Sequence, residues 1–248
     1  MVGGERLPRE EVAVRGWQPV YDVTTNRLGS RPGGACGATW SYSYDRAGNL
    51  TQAVCGSTTW VYGYDALNQL RAVRYNGTLI ARYGYDVLGR RIAKRVYTSV
   101  TGGAVAYTRF VYHGGAVAFE TDTSGTTITL RYTWGPRTDE LLGVTDGGGH
   151  RFYVVSDVLG SVRGLVKRDD GTWVMSQRFG AYGATIARDT NATGPGFALR
   201  YAWTGREYDA ETGWYFHRSR YYDPSVRRFV QEDPIGHGEE LLHFAGDE

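Results

Sequence analysis

Three acidic residues at alternate positions, Glu207, Asp209 and Glu211, are the first feature able to do chemistry. On a strand they would share one face, and paired carboxylates are the equipment of glycoside hydrolysis. The competing reading is structural. Asp209-Ala210-Glu211-Thr212-Gly213 has the composition of a hairpin turn, and that is the reading adopted. Trp40, Trp60, Trp134, Trp173, Trp203 and Trp214 would suit a sugar-binding groove, but in a sheet with one buried face such residues are expected in the core. Cys36 and Cys55 flank a predicted hairpin and fall nearly opposite each other, so a disulfide and two free thiols both remain open. Their spacing is not Cys-x-x-Cys and the five histidines are scattered, so no metal and no cofactor is expected. Asn49-Leu50-Thr51, Asn76-Gly77-Thr78 and Asn191-Ala192-Thr193 match glycosylation sequons, a pattern that arises often by chance.

What must position these residues is legible in the composition. Glycine is abundant at 35 of 248 residues, about twice the usual ~7%. Tyrosine is also high at 19, while proline is only 7. Many Gly, Tyr, Thr, Val and Trp residues mean strands and turns rather than long helices. The 28 basic and 26 acidic residues nearly cancel, which does not favour a nucleic-acid partner. Of the basic residues only Lys94 and Lys167 are lysines, an imbalance of the kind genome base composition produces. No apolar run reaches the length of a membrane span. The start, Met1 to Arg6, lacks the apolar stretch of a signal peptide.

An internal repeat organises the first hundred residues. Tyr44-Asp45-Arg46-Ala47-Gly48-Asn49-Leu50, Tyr64-Asp65-Ala66-Leu67-Asn68-Gln69-Leu70 and Tyr85-Asp86-Val87-Leu88-Gly89-Arg90-Arg91 align, with Tyr21-Asp22 a looser copy. Each reads as a β-hairpin. Trp60, Tyr62 and Tyr64 share one strand face, Asp65 accepts backbone N–H groups beyond it, and Gly or Asn takes the left-handed turn position. Leu70, Ala72 and Arg74 are expected to alternate outward on the returning strand. A lone hairpin is marginal in water, so the copies must stack into one continuous sheet.

These motifs resemble the YD repeat of Rhs proteins, bacterial toxin-complex C subunits and teneurins. The downstream half resembles the Rhs repeat-associated core. Tyr132-Thr133-Trp134-Gly135-Pro136, Asp139-Glu140-Leu141-Leu142 and Phe179-Gly180-Ala181-Tyr182-Gly183 match its elements. So does Tyr153-Val154-Val155-Ser156-Asp157-Val158-Leu159-Gly160, with Ser156 where the family has His. The most specific stretch runs from Tyr201-Ala202-Trp203-Thr204-Gly205 through Arg220-Tyr221-Tyr222-Asp223-Pro224 to Asp233-Pro234-Ile235-Gly236. The resemblance implies an all-β fold, with stacked hairpins forming a curved sheet that is part of a hollow shell. It divides the chain into an N-terminal remnant (1–20), YD hairpins (21–100), the core (101–236) and a divergent tail (237–248).

The family shell encloses a C-terminal toxin, and its core is an intramolecular aspartyl protease that cuts the toxin free. Carried over by motif, the family's arginine is Arg220 and its first aspartate is Asp233. A second aspartate belongs some two dozen residues further on, beyond Glu248. Asp247 comes too early and lacks the Pro-x-Gly context. Two carboxylates sharing a proton are what such chemistry needs, so these positions are expected to be vestigial and the chain not to be an enzyme. The resemblance implies a scaffold role, secreted or cell-surface. The expected partners are a toxin domain or the rest of a shell, with self-association through open strand edges. The alternative is a carbohydrate- or protein-binding module.

Overall fold

A computed structural model describes residues 19–22, 25–33, 36–97, 105–190 and 199–234. All but the end of the expected N-terminal remnant, the whole 237–248 tail, Asp247 and the sequon at Asn191 lie outside the described residues.

Sixteen strands make the larger sheet. They are β1 (Val20–Tyr21), β2 (Leu28–Arg31), β3 (Trp40–Tyr44), β4 (Leu50–Cys55), β5 (Thr58–Tyr64), β6 (Leu70–Tyr75), β7 (Thr78–Tyr85) and β8 (Arg91–Tyr97). There follow β9 (Val105–His113), β10 (Ala116–Thr121), β11 (Ile128–Trp134), β12 (Leu141–Asp146), β13 (Arg151–Ser156), β14 (Val162–Lys167), β15 (Trp173–Phe179) and β16 (Thr185–Thr190). Each strand pairs with its neighbours in sequence and the sheet does not close. A second sheet contains β17 (Glu207–Asp209), β18 (Trp214–Phe216), β19 (Tyr221–Asp223) and β20 (Arg228–Phe229). The all-β, stacked-hairpin expectation therefore holds.

The repeat turns work as their residue types require. Asp45, Asp65 and Asp86 each accept a backbone N–H three residues on, and Gly48, Asn68 and Gly89 lie at φ of 78°, 59° and 77°. That region is open to glycine and tolerated by asparagine. Three further turns, opened by Asp122, Asp146 and Asp157, close on Gly125, Gly149 and Gly160 in the same way. They lack the preceding tyrosine, with Thr121, Thr145 and Ser156 in its place, and so do not align with the repeat. The Asp65 carboxylate accepts the N–H groups of Leu67 and Gln69 at 3.0 Å each. Asp65→Ala is expected to lower stability by about 1 kcal/mol in urea melts. An unchanged midpoint would show that water replaces both bonds without loss.

One part of the strand reading is corrected. Tyr64 pairs with Leu70, Tyr62 with Val73 and Trp60 with Tyr75, with a bulge between Gly63 and Tyr64. The returning strand thus sends Leu70 and Val73 inward, both wholly buried; of the three residues expected outward, Arg74 is exposed and Ala72 half-buried, and Leu70 is the exception. An extra residue in one strand reverses the alternation beyond it. Of the two states open for the cysteines, the structure shows the Cys36–Cys55 disulfide, with Cα atoms 6.0 Å apart. Closing this loop restricts the unfolded chain and contributes roughly 3 kcal/mol.

One face of the large sheet carries the core. Tyr62, Val73, Ala81 and Tyr83 pack with Trp214, Phe216, Tyr221 and Val230 of the small sheet and its C-terminal extension. Phe110, Leu130, Val144, Leu165 and Met175 pack with Leu199 and Tyr201. Further along, the Tyr215 and Tyr222 hydroxyls donate to the carbonyls of Gly183 and Tyr182 in the turn between β15 and β16. The large sheet therefore curls around the small one and is held to it near both ends. Trp214 is buried, and Trp40, Trp60, Trp134 and Trp203 pack half-buried on the core. Trp173 departs from the core expectation: it is 51% exposed on the outer face, its ring lying over Gly164, where a Cβ would come within 2.4 Å of it.

Candidate functional site

Arg220 and Asp233 are brought together by the small sheet. Arg220 closes the turn between β18 and β19, where the His217 N–H donates to the Arg220 carbonyl at 2.8 Å. Its guanidinium lies 3.9 Å from the Phe229 ring centre and 3.1 Å from Asp233 Oδ2. Both side chains are about three-quarters buried. The pair expected from the motifs is thus formed, as a charge-assisted contact over an aromatic ring.

The position of Asp233 is set by the chain just before it, which clamps onto the repeat turns. The Val230 carbonyl accepts the Leu50 N–H at 2.9 Å. Gln231 is buried. Its amide nitrogen donates to the Asn68 carbonyl at 2.7 Å and to Asn49 Oδ1 at 3.2 Å, while its oxygen accepts the Tyr221 N–H. Asn49 in turn donates to Asp45 and Asn68. Glu232 is held by Arg27 and lies against Gly48, where any side chain would collide with it. Asn49, Asn68 and Gln231 are positioning residues that the sequence reading missed. No sequence signal marks them: Asn49 holds the same turn position as Gln69 and Arg90 in the next two repeats, and its burial is seen only in the fold.

His217 is a second addition. Its Nε2 is buried without a hydrogen-bond partner among the described residues. Burial, reinforced by the charges of Arg206 and Arg220, depresses its pKa to about 4. It is therefore a neutral ring packed edge-on to Phe229 and Tyr222 beside the Arg220–Asp233 pair.

Asp233 also borders a cleft of about 900 Å³ between the repeat turns and the small sheet. Gln69, Tyr85, Arg90, Trp134 and Arg206 line it. On its far wall Asp139 bridges Arg206 at 2.9 Å and Arg218 at 2.6 Å. Among the described residues no cluster of three or more His, Cys, Asp or Glu side chains could hold a metal ion.

The three alternating carboxylates that opened the chemical question go elsewhere. Asp209 is fully buried and ion-paired with Arg91 and, at 2.7 Å, with Lys94. Glu207 meets Arg91 at 2.7 Å and Arg200 at 3.1 Å, and Glu211 meets Lys94 at 2.9 Å. Burial alone would raise the Asp209 pKa, but Arg91 and Lys94 outweigh it and hold the carboxyl below its ordinary range. These acids form a charge-matched lock between β8 and β17. They do not face one another across an open groove, as glycoside hydrolysis requires.

Comparison with known proteins agrees with this architecture. The family model for the teneurin YD-shell matches residues 36–241. The chain is 32% identical over 201 residues to the tRNA3(Ser)-specific nuclease WapA of Bacillus spizizenii, covering 78% of this chain and 8% of the relative. It is 28% identical over 204 residues to the probable deoxyribonuclease RhsA of Dickeya dadantii, covering 79% of this chain and 14% of the relative. The crystal structure of TcdB2-TccC3 superposes with a TM-score of 0.55 at 18% identity, covering 79% of this chain and 12% of that one. The chain thus spans less than a fifth of each of these proteins. With its sequential hairpins, inward core and matching family model, the chain belongs to the Rhs and teneurin YD-shell family.

Proposed function

We propose that this chain is a wall segment of a toxin-enclosing shell, acting as a scaffold and not as an enzyme. The observation that carries this reading is the docking of β17–β20 onto the inner face of the large sheet. It converts the motif-rich C-terminal region into core and clamp. The edges of the large sheet, at β1 and β16, offer the backbone groups by which further wall would continue. By family the parent protein is secreted or displayed at the cell surface, and its partners are a toxin domain and the remaining wall. Among the described residues no helix is long and apolar enough to cross a membrane.

Arg220 and Asp233 are read as vestigial protease positions. Cleavage by an aspartyl dyad needs a second carboxylate to share the proton. Here Asp233 meets a guanidinium, and the neighbouring Glu232 is engaged by Arg27. The expected result is that the expressed 248-residue chain keeps its full mass, and that Asp233→Asn changes neither mass nor far-ultraviolet circular dichroism. Intact-mass spectrometry checks this. A discrete C-terminal loss in the wild type that disappears in Asp233→Asn would overturn the non-cleaving reading while leaving the scaffold reading intact.

A further inference from the structure

The net charge of +2 conceals a segregation between the two faces of the large sheet. Arg74, Arg82, Arg95, Arg109, Arg131 and Arg151 are all exposed. Each neighbours a residue whose side chain enters the core, so alternation sends all six to the outer face. They run across β6 to β13, a distance of about 34 Å at the usual ~4.8 Å between strands. None of the six forms an ion pair among the described residues. The carboxylates carried by these strands, Glu120 and Asp146, are both cross-strand partners of Leu130 and so belong to the inner face.

Two details set this stripe apart from a diffusely charged surface. Arg82 and Arg95 are direct cross-strand partners, and like charges placed so oppose the pairing of their strands. Aromatic rings are interleaved with the cations. Tyr107 lies beneath both Arg95, at 4.9 Å, and Arg109, at 5.6 Å. Tyr153 stands two residues from Arg151 on the same face and is 57% exposed.

We propose that this outer stripe binds single-stranded nucleic acid. A row of unpaired guanidinium groups complements an extended phosphodiester backbone, and exposed rings beside it offer stacking faces to bases. The near-neutral total, which argued against such a partner at the level of composition, also counts acids held in turns, such as Asp45, Asp65 and Asp86, and in the buried network of Glu207 and Asp209. The stripe is independent of Arg220, Asp233 and the scaffold reading.

The test uses the full chain and a fluorescent oligothymidylate of about twelve nucleotides, a length within the usual site sizes. Anisotropy is expected to show binding with a log–log salt slope of about −4, so that affinity falls roughly 300-fold between about 50 and 200 mM salt. The combined change Arg82→Gln, Arg95→Gln, Arg109→Gln and Arg131→Gln should weaken binding at least ~100-fold and bring the slope to about −1.5 without lowering the melting temperature. The matching four lysines should keep most of the affinity, since backbone contacts read charge. Tyr153→Ala should cost about tenfold on oligothymidylate and nothing on inorganic polyphosphate, which has no bases to stack. Absence of binding, or binding indifferent to the four substitutions, would overturn the proposal. Equal affinity for polyphosphate with no effect of Tyr153→Ala would also overturn it, in favour of a plain polyanion site. Binding to phosphatidylglycerol vesicles but not to oligothymidylate would overturn it in favour of a membrane surface.

Discussion

Replacing Arg91 by alanine is expected to destabilise the chain by about 3–5 kcal/mol, because it strips the central cation from a buried network. Arg91 is wholly inaccessible to solvent and meets Asp209, Glu207 and the Tyr221 hydroxyl, with its guanidinium 4.4 Å from the Phe216 ring centre. Lys94 and Arg200 would be left to balance the exposed deficit alone. The effect carries a pH signature. The Asp209 pKa is held below its unfolded value, so the stability this gives is present above the unfolded pKa and is lost as pH falls through the folded one. Removing Arg91 takes away the largest influence holding that pKa down, so acid unfolding should begin at a higher pH. Urea melts at neutral and mildly acidic pH measure both effects. A loss below about 1 kcal/mol at neutral pH would show that the network is not what joins the two sheets.

The second large effect is expected from Trp214→Ala, at about 3–5 kcal/mol. Trp214 is 3% exposed and stacks on Tyr62 with ring centres 4.4 Å apart. It is the side chain by which β18 reaches the face of β5. Trp173→Ala is the control, because it removes a ring of the same size from the outer face and should cost under about 1 kcal/mol. If the two substitutions shift the urea midpoint equally, the inner and outer faces have been assigned wrongly.

The local grammar of this chain was readable and the distant pairings were not. Tyr64-Asp65 with Asn68 predicted its own turn, because Asp and Asn satisfy the backbone within five residues. The phase of the following strand failed at Leu70 because a bulge is a property of two strands, and nothing in Leu70 to Arg74 alone announces it. Arg220 and Asp233 could be named from motifs. Gln231 could not be identified as the residue that places Asp233, since its partner Asn49 is 182 positions away. Arg91 was likewise invisible as a core residue. An arginine in a repeat reads as surface until Glu207 and Asp209, 116 and 118 positions later, supply its countercharges. The cysteines fell between these cases: their spacing allowed a bond, and what decided it was the turn ahead of β3 that brings Cys36 to the end of β4.

The strictly sequential order of the large sheet constrains how relatives of this chain can differ in length. Adding or deleting one whole hairpin of about twenty residues leaves every remaining strand with its original polarity and every turn on its original rim. Adding a single strand would reverse all that follow and exchange the two rims. Divergence by duplication is therefore permitted in even steps. The backbone groups of the inserted unit find their partners in the hairpins before and after it. The four-stranded unit at the end has no such freedom: its contacts reach back to β4, β8 and the turn after β15, which ties its docking to a wall of fixed girth.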